Sequence, residues 1–237
     1  QADTGLVYVT PSHQFPTGKV MPVGQRYKLL DWAVQEDGLI IEDDYDSELR
    51  YEGRPIPALQ GLDRSDRVIY LGALSKVLPF FVRISYLVLP DPLMDMYRRE
   101  RSLFRQSASV PEQCVLAEYI RSGEMRKQIR RLRRLYQEKG RKTEYLLQAY
   151  FGTAVEVSRV VSGVHCQIAF ASPLSETELT EAAKREGCLV LPMESFYEKH
   201  IDNGVRRFLL SFARIRTDML EEAVAALHQI GRASCRE

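Results

Sequence analysis

Leu39-Ile40-Ile41-Glu42-Asp43-Asp44-Tyr45-Asp46 is an apolar run that ends in acid, and Val68-Ile69-Tyr70-Leu71-Gly72-Ala73-Leu74-Ser75-Lys76 is a second apolar run that ends in a lysine. A third, Arg83-Ile84-Ser85-Tyr86-Leu87-Val88-Leu89, opens on an arginine. Short apolar runs of this kind read as strands buried on both faces. A carboxylate, a phenol, a lysine and an arginine therefore all stand at strand ends, where open α/β sheets bind their ligands. A lysine there can form a Schiff base with an aldehyde cofactor, and a carboxylate can keep a pyridine nitrogen protonated. An arginine fork can grip a phosphate. These parts describe a site for pyridoxal 5'-phosphate (PLP).

Working outward, Leu6 to Thr10 reads as a strand, followed by a Pro/Gly turn through Gly18. Tyr27, Leu29, Leu30, Ala33 and Val34 recur at helical spacing, and Gly38 resets the chain into the strand that begins at Leu39. This βαβ order predicts a parallel-type sheet with crossover helices. Pro79, between Lys76 and Arg83, favours a loop there. Helices are expected over residues 91–105, 111–121 and 124–150, with Asp91 as an N-cap and Pro92 in the first turn. After Gly152 the pattern changes to short strands (154–157, 165–170, 189–191, 206–212) with helices over 176–186 and 218–229. The expected organisation is a cofactor domain over 1–110, connecting helices over 111–150 and a smaller α/β domain over 151–229.

At 237 residues with 45% hydrophobic content, the chain has material for a sizeable core, and a net charge of +1 gives no whole-chain sign of nucleic-acid binding. Cys114, Cys166, Cys188 and Cys235 are scattered, and His13, His165, His200 and His228 lack metal spacing. No metal site is expected, and the cysteine usage fits a reducing cytoplasm. No apolar run reaches the length of a membrane span, and no signal peptide is visible. The basic run Arg126, Lys127, Arg130, Arg131, Arg133 and Arg134 reads best as a solvated helix face around Ile129, Leu132 and Leu135.

The segments Val7-Tyr8-Val9-Thr10-Pro11-Ser12-His13-Gln14-Phe15-Pro16-Thr17-Gly18, Glu42 to Glu48 and Tyr70 to Lys76 resemble the aminotransferase-like domain of MocR-type regulators. These are GntR-superfamily transcription factors in which a winged helix-turn-helix is fused to a fold-type-I aminotransferase domain. The resemblance runs from about Leu6 to Gln229. It implies part of an aspartate aminotransferase-like large domain plus a smaller C-terminal α/β domain. By position, Lys76 would carry the Schiff base and Asp43 would pair with the pyridine nitrogen. Tyr45 would bond the phenolic oxygen, and Arg83 with Ser75 would hold the phosphate. His13 lies in a matching motif, where lining the site and a structural hydrogen bond are equally open.

Three departures stand out. Ala73 replaces a hydroxyl residue, Phe15 replaces an Asn common in plain aminotransferases, and Leu209 replaces an Arg that binds substrate carboxylates. Arg207 and Arg214 lie nearby as weaker substrate-binding candidates. The resemblance implies an effector domain tuned by a small amino compound or PLP and homodimeric in its parent. DNA would be bound only through a helix-turn-helix expected upstream of Gln1, with the first half of the cofactor domain. The alternative is a true aminotransferase acting on an amino acid and a 2-oxo acid, and a scaffold without cofactor is the third reading. Ile230 to Glu237 resemble translated sequencing adapter and are set aside.

Overall fold

The β1–α1–β2 unit opens the fold: β1 (Leu6–Val9), α1 (Val23–Gln35) and β2 (Leu39–Asp44). The computed structural model describes residues 5–53, 56–79, 81–103, 107–198 and 203–234, with side chains to residue 230. His200, Cys235 and the expected helix end near Arg105 lie outside these residues. The chain divides into two units, Gln1–Arg133 and Arg134–Glu237.

In the first unit, α2 (Leu59–Leu62) precedes β3 (Val68–Ala73), and β4 (Ser85–Val88), α3 (Asp91–Glu100) and α4 (Val110–Arg121) follow. The sheet order is β1-β2-β3-β4. β2 pairs in parallel with β1 and β3, as the βαβ pattern predicts. β4 departs from it and runs antiparallel to β3. The link between them is too short for the crossover that a parallel neighbour needs. At the turn into β2, a Cβ on Gly38 would come within 2.8 Å of the Trp32 ring, so the close approach depends on glycine.

The two faces of this sheet differ. Leu30 and Ala33 from α1 and Leu59 from α2 pack on Ile40 and Val68, forming the core on one side. On the other side Leu6 (52%), Tyr8 (59%) and Leu87 (53%) are exposed. β3, expected to be covered on both faces, is buried on one, because among the described residues both packing helices lie on the Ile40 side; β4, expected to be covered likewise, is exposed on both, Tyr86 and Val88 included. α3 and α4 bury no residue. Asp91 begins α3 rather than capping it; Pro90 takes the N-cap position, where it has no side chain to cap with.

α5 (Glu124–Phe151) begins in the first unit and continues into the second. The second unit holds β5 (Glu156–Val157), β6 (His165–Ala171), α6 (Glu176–Arg185), β7 (Leu191–Pro192), β8 (Val205–Ser211) and α7 (Leu220–Ser234). Its sheet runs β5-β6-β8-β7, antiparallel throughout. Ser175 and Glu178 form a reciprocal capping box on α6. The strand expected at 189–191 shifts to Leu191–Pro192, since Leu189 is exposed and unpaired with β8. α7 runs on through Ser234, into the residues set aside as adapter-like. The basic run Arg126, Lys127, Arg130, Arg131, Arg133 and Arg134 is exposed as expected, while Ile129 and Leu132 are only half-buried and Leu135 is exposed.

The one-sided sheet makes a direct prediction. Ile40→Ala, which opens a cavity in the covered core, should cost about 2–5 kcal/mol. Leu87→Ala on the open face should cost under about 1 kcal/mol. Paired denaturant midpoints measure both, and equal costs would show that the Leu87 side is packed as well.

Candidate cofactor site

Strand direction gathers the candidate residues at one end of the first sheet. β1, β2 and β3 run in parallel, so their C-terminal ends, with Val9, Asp43–Asp44 and Ala73, lie together; antiparallel β4 begins at that same end, where Ala73 pairs with Ser85. Lys76 follows β3 in a tight turn closed by Val77 N–H and Leu78 N–H donating to the Leu74 carbonyl at 3.1 and 2.9 Å. Leu74 and Val77 are buried and anchor the turn, which leaves Ser75 and Lys76 exposed between them. Arg83 is exposed just before buried Ile84, whose carbonyl accepts from Leu74 N–H at 3.3 Å.

The acid run is sorted by strand alternation. Glu42 and Asp44 point to the covered face and are buried. Glu42 accepts from Leu59 N–H and Gln60 N–H at 2.8 and 2.9 Å, capping α2 from a distance. Asp44 accepts the Tyr70 hydroxyl at 2.8 Å. Asp46 binds the His13 ring Nδ1 at 2.6 Å. Asp43 faces the other way, into a cavity of about 1010 Å³ that Tyr8, Gln14, Phe15, Lys19 and Tyr45 also line. Among the described residues its carboxylate accepts one hydrogen bond, from the Tyr8 hydroxyl to Oδ2. That bond, with burial and the carboxylate charge behind it, pushes the Tyr8 phenol up to about 12.

Tyr45 donates its hydroxyl proton to the His13 carbonyl at 2.6 Å, and the two rings stack at 6.2 Å. Burial raises the Tyr45 phenol, and the charges of Asp46, Asp43 and Asp44 add to it. His13 is therefore used structurally, between Asp46 and Tyr45, and is not among the cavity's lining residues. Asp43 and Tyr45 share the cavity; Ser75, Lys76 and Arg83 share its sheet end but do not line it. Arg207 and Arg214 belong to the second unit: Arg207 is half-buried on β8 with its N–H donating to Glu176 at 2.7 Å, and Arg214 is exposed. Leu209 is buried on β8. Tyr8 and Lys19 were missed in the sequence. Tyr8 was readable, since it stands opposite Ile41 on the face that carries Asp43.

The residues fit PLP. A carboxylate with a free oxygen faces a cavity large enough for a ring cofactor, and an accessible amine and guanidinium lie at the same strand ends. Among the described residues no cluster of three or more His, Cys, Asp or Glu could hold a metal ion. No described helix is long and apolar enough to cross a membrane.

No protein-family model matches the chain. It is 40% identical over 94% of its length to the uncharacterized HTH-type transcriptional regulator YdeL of Bacillus subtilis, covering 48% of that protein. It is 34% identical, again over 94%, to the probable rhizopine catabolism regulatory protein MocR of Rhizobium meliloti, covering 45% of it. The chain thus spans about half the length of the curated relatives it matches. Among solved structures, the kynurenine aminotransferase of Pyrococcus horikoshii, in complex with PMP, superposes with a TM-score of 0.84 at 26% identity, over 98% of this chain and 57% of that one.

The Tyr8–Asp43 bond gives a titration test. A phenol whose folded pKa is raised from 10.0 to about 12 stabilises the fold fully below about pH 10, and that contribution is lost as pH rises toward 12. Asp43→Ala should return Tyr8 to near its ordinary value, read from the tyrosine ring carbon shifts by NMR. An unmoved Tyr8 titration would show that the bond is absent in solution.

Proposed function

We infer the function from one premise: the chain belongs to the aminotransferase-like domains found in MocR-type, helix-turn-helix transcriptional regulators. It is the PLP-binding effector domain of such a regulator, acting in the cytoplasm as part of a homodimer. A small amino compound meeting the cofactor alters DNA binding by a helix-turn-helix elsewhere in the protein. The observation that carries this reading is the sorting of the acid run. Glu42, Asp44 and Asp46 are taken up by the protein's own donors, and Asp43 is turned to the cavity at the strand end that Lys76 shares.

When bound, PLP supplies an aldehyde and an electron-accepting ring. Asp43 holds a proton on the pyridine nitrogen, with Oδ1 available because Tyr8 occupies Oδ2. Lys76, exposed in the turn after β3, would be the residue that holds the cofactor through its aldehyde. Arg83 and Ser75 receive the phosphate, the guanidinium by its paired N–H donors. Tyr45 would meet the phenolic oxygen. Arg207 and Arg214 are the proposed contacts for an effector or substrate carboxylate.

The second reading is an amino-acid aminotransferase, favoured by the likeness to the Pyrococcus enzyme. It requires release of 2-oxo acid from an amino acid on mixing with the PLP-loaded protein. The effector reading expects ligand-dependent changes in DNA affinity without turnover.

Lys76 is tested in the protein that carries this chain. Borohydride should fix PLP to the peptide containing residue 76, and Lys76→Ala should lose the adduct by mass spectrometry. An adduct of equal yield in Lys76→Ala would overturn the assignment. Arg83→Ala should weaken PLP binding about tenfold or more, since a charge-assisted hydrogen bond contributes about 1.5–3 kcal/mol. Absorbance titration measures it.

A further inference from the structure

Arg26 is completely buried on α1, yet it is a charged side chain that neither the cavity nor the resemblance to aminotransferases calls for. Its guanidinium reaches three separate stretches of backbone. Nε donates to the Met21 carbonyl at 3.1 Å, Nη2 to the Pro11 carbonyl at 2.8 Å and Nη1 to the Pro57 carbonyl at 2.8 Å. Nη1 also stands 3.8 Å from the buried Glu42 carboxylate. Pro11 and Met21 are the two ends of one loop, whose neck is closed again by Met21 N–H donating to the Pro11 carbonyl at 2.9 Å. Nearly half of the cavity's lining residues come from that loop: Pro11, Gln14, Phe15, Lys19, Val20 and Met21.

Glu42 adds the second connection. It sits on β2 next to Asp43 and points to the opposite face, held by Arg26 and by the two N–H groups that open α2. Fixing Glu42 fixes the roll of β2 at this point, and with it the direction of the Asp43 carboxylate. A buried ion pair is a poor way to gain stability, since well-packed apolar side chains do as well or better. A fork that binds three carbonyls in a fixed plane is instead a way to specify geometry.

We propose that Arg26 is a positioning residue for the cavity, clamping both ends of the Pro11–Met21 loop and, through Glu42, setting the aim of Asp43. The ligand arm of the test rests on the PLP reading; the loop arm does not. Two variants separate geometry from charge. Arg26→Lys keeps a cation beside Glu42 but replaces the planar fork by a single nitrogen, which cannot stand where Nε, Nη1 and Nη2 each meet a carbonyl. Arg26→Met combined with Glu42→Gln removes the clamp without leaving a buried carboxylate unpaired. Three readouts are taken on the protein that carries this chain: PLP affinity by absorbance, denaturant midpoint, and amide exchange at Gly18 and Met21. Those two amides donate inside the loop to Gln14 and Pro11.

In both variants exchange at Gly18 and Met21 should accelerate about tenfold, more than at amides of the Ile40 core, and the PLP dissociation constant should rise about tenfold. Full rescue of loop protection by Arg26→Lys would overturn the proposal, because it would reduce Arg26 to a counter-charge. Unchanged loop exchange in the folded double variant would overturn it too. If the unsubstituted protein fails to bind PLP, the cofactor reading falls while the exchange result still decides the clamp. If it binds PLP and loop exchange speeds up with affinity unmoved, the clamp's link to the site is refuted and the cofactor reading stands.

Discussion

A slip of β2 by one residue against β1 and β3 would turn Asp43 into the core and Glu42 into the cavity, because side chains alternate along a strand. The register that prevents this is held from the covered side. Ile40 is locked between α1, α2 and Val68. Glu42 is held by the first N–H groups of α2 and by Arg26, and Asp44 by Tyr70. The apolar anchor and the two polar anchors agree on one register. The placement of the single carboxylate on the open face follows from them. Burial pushes the Glu42 carboxyl up, against the pull of its N–H donors and the Arg26 charge. The same burial lowers the Arg26 guanidinium, with Glu42 and Asp44 opposing it.

The strand ends were legible in the sequence because they rest on local signals. The apolar runs bounded by turns placed β2 and β3, and Pro79 marked the loop that follows Lys76. Gly38 marked the start of β2, where only a residue without Cβ avoids the Trp32 ring. What was not legible is long-range. Apolar residues on both sides of a strand say that each face prefers cover, and they do not say whether a packing element lies on each. Leu6, Tyr8 and Leu87 carry the same apolar signal as Ile40 and differ from it in having no helix above them among the described residues. Arg26 reads in sequence as one more polar residue of an amphipathic helix. Its carbonyl partners lie at Pro11, Met21 and Pro57, joined to it by folding alone.

The second unit uses charge in a related way. Lys139, on what reads as a plain charged helix, is buried and donates to the Ala213 and Ile215 carbonyls at 3.1 and 2.6 Å. Lys142 adds the Thr217 carbonyl at 3.0 Å. Both lysines satisfy backbone groups in the segment that leaves β8, where no ladder partner remains. Burial lowers the Lys139 amine, so this cation is held by geometry against its own desolvation. Glu176 answers from the other sign, accepting from Glu194 N–H and Arg207 N–H at 2.8 and 2.7 Å. The charge pattern of α5 describes its exposed turns well and its buried turns badly. Solvation and backbone capping draw on the same residue types, and sequence alone does not separate them.

The two cavity phenols place different demands on a ring cofactor. Asp43 has two oxygens, and Tyr8 uses one, so a pyridinium N–H can be met with no bond broken. Tyr45 has one proton, and the His13 carbonyl holds it. An ionised phenolic oxygen brought to Tyr45 would therefore meet lone pairs. Either the ligand keeps its own proton there and donates it, or Tyr45 turns and releases the His13 carbonyl. Leaving that carbonyl unpaired would cost about 1–3 kcal/mol if water does not replace the bond. His13 belongs to the Pro11–Met21 loop, and its ring is tied to Asp46. In the second case the hydrogen bond broken is one of those that hold the cavity wall, and occupancy of the site would be coupled to the order of that loop through a single hydroxyl.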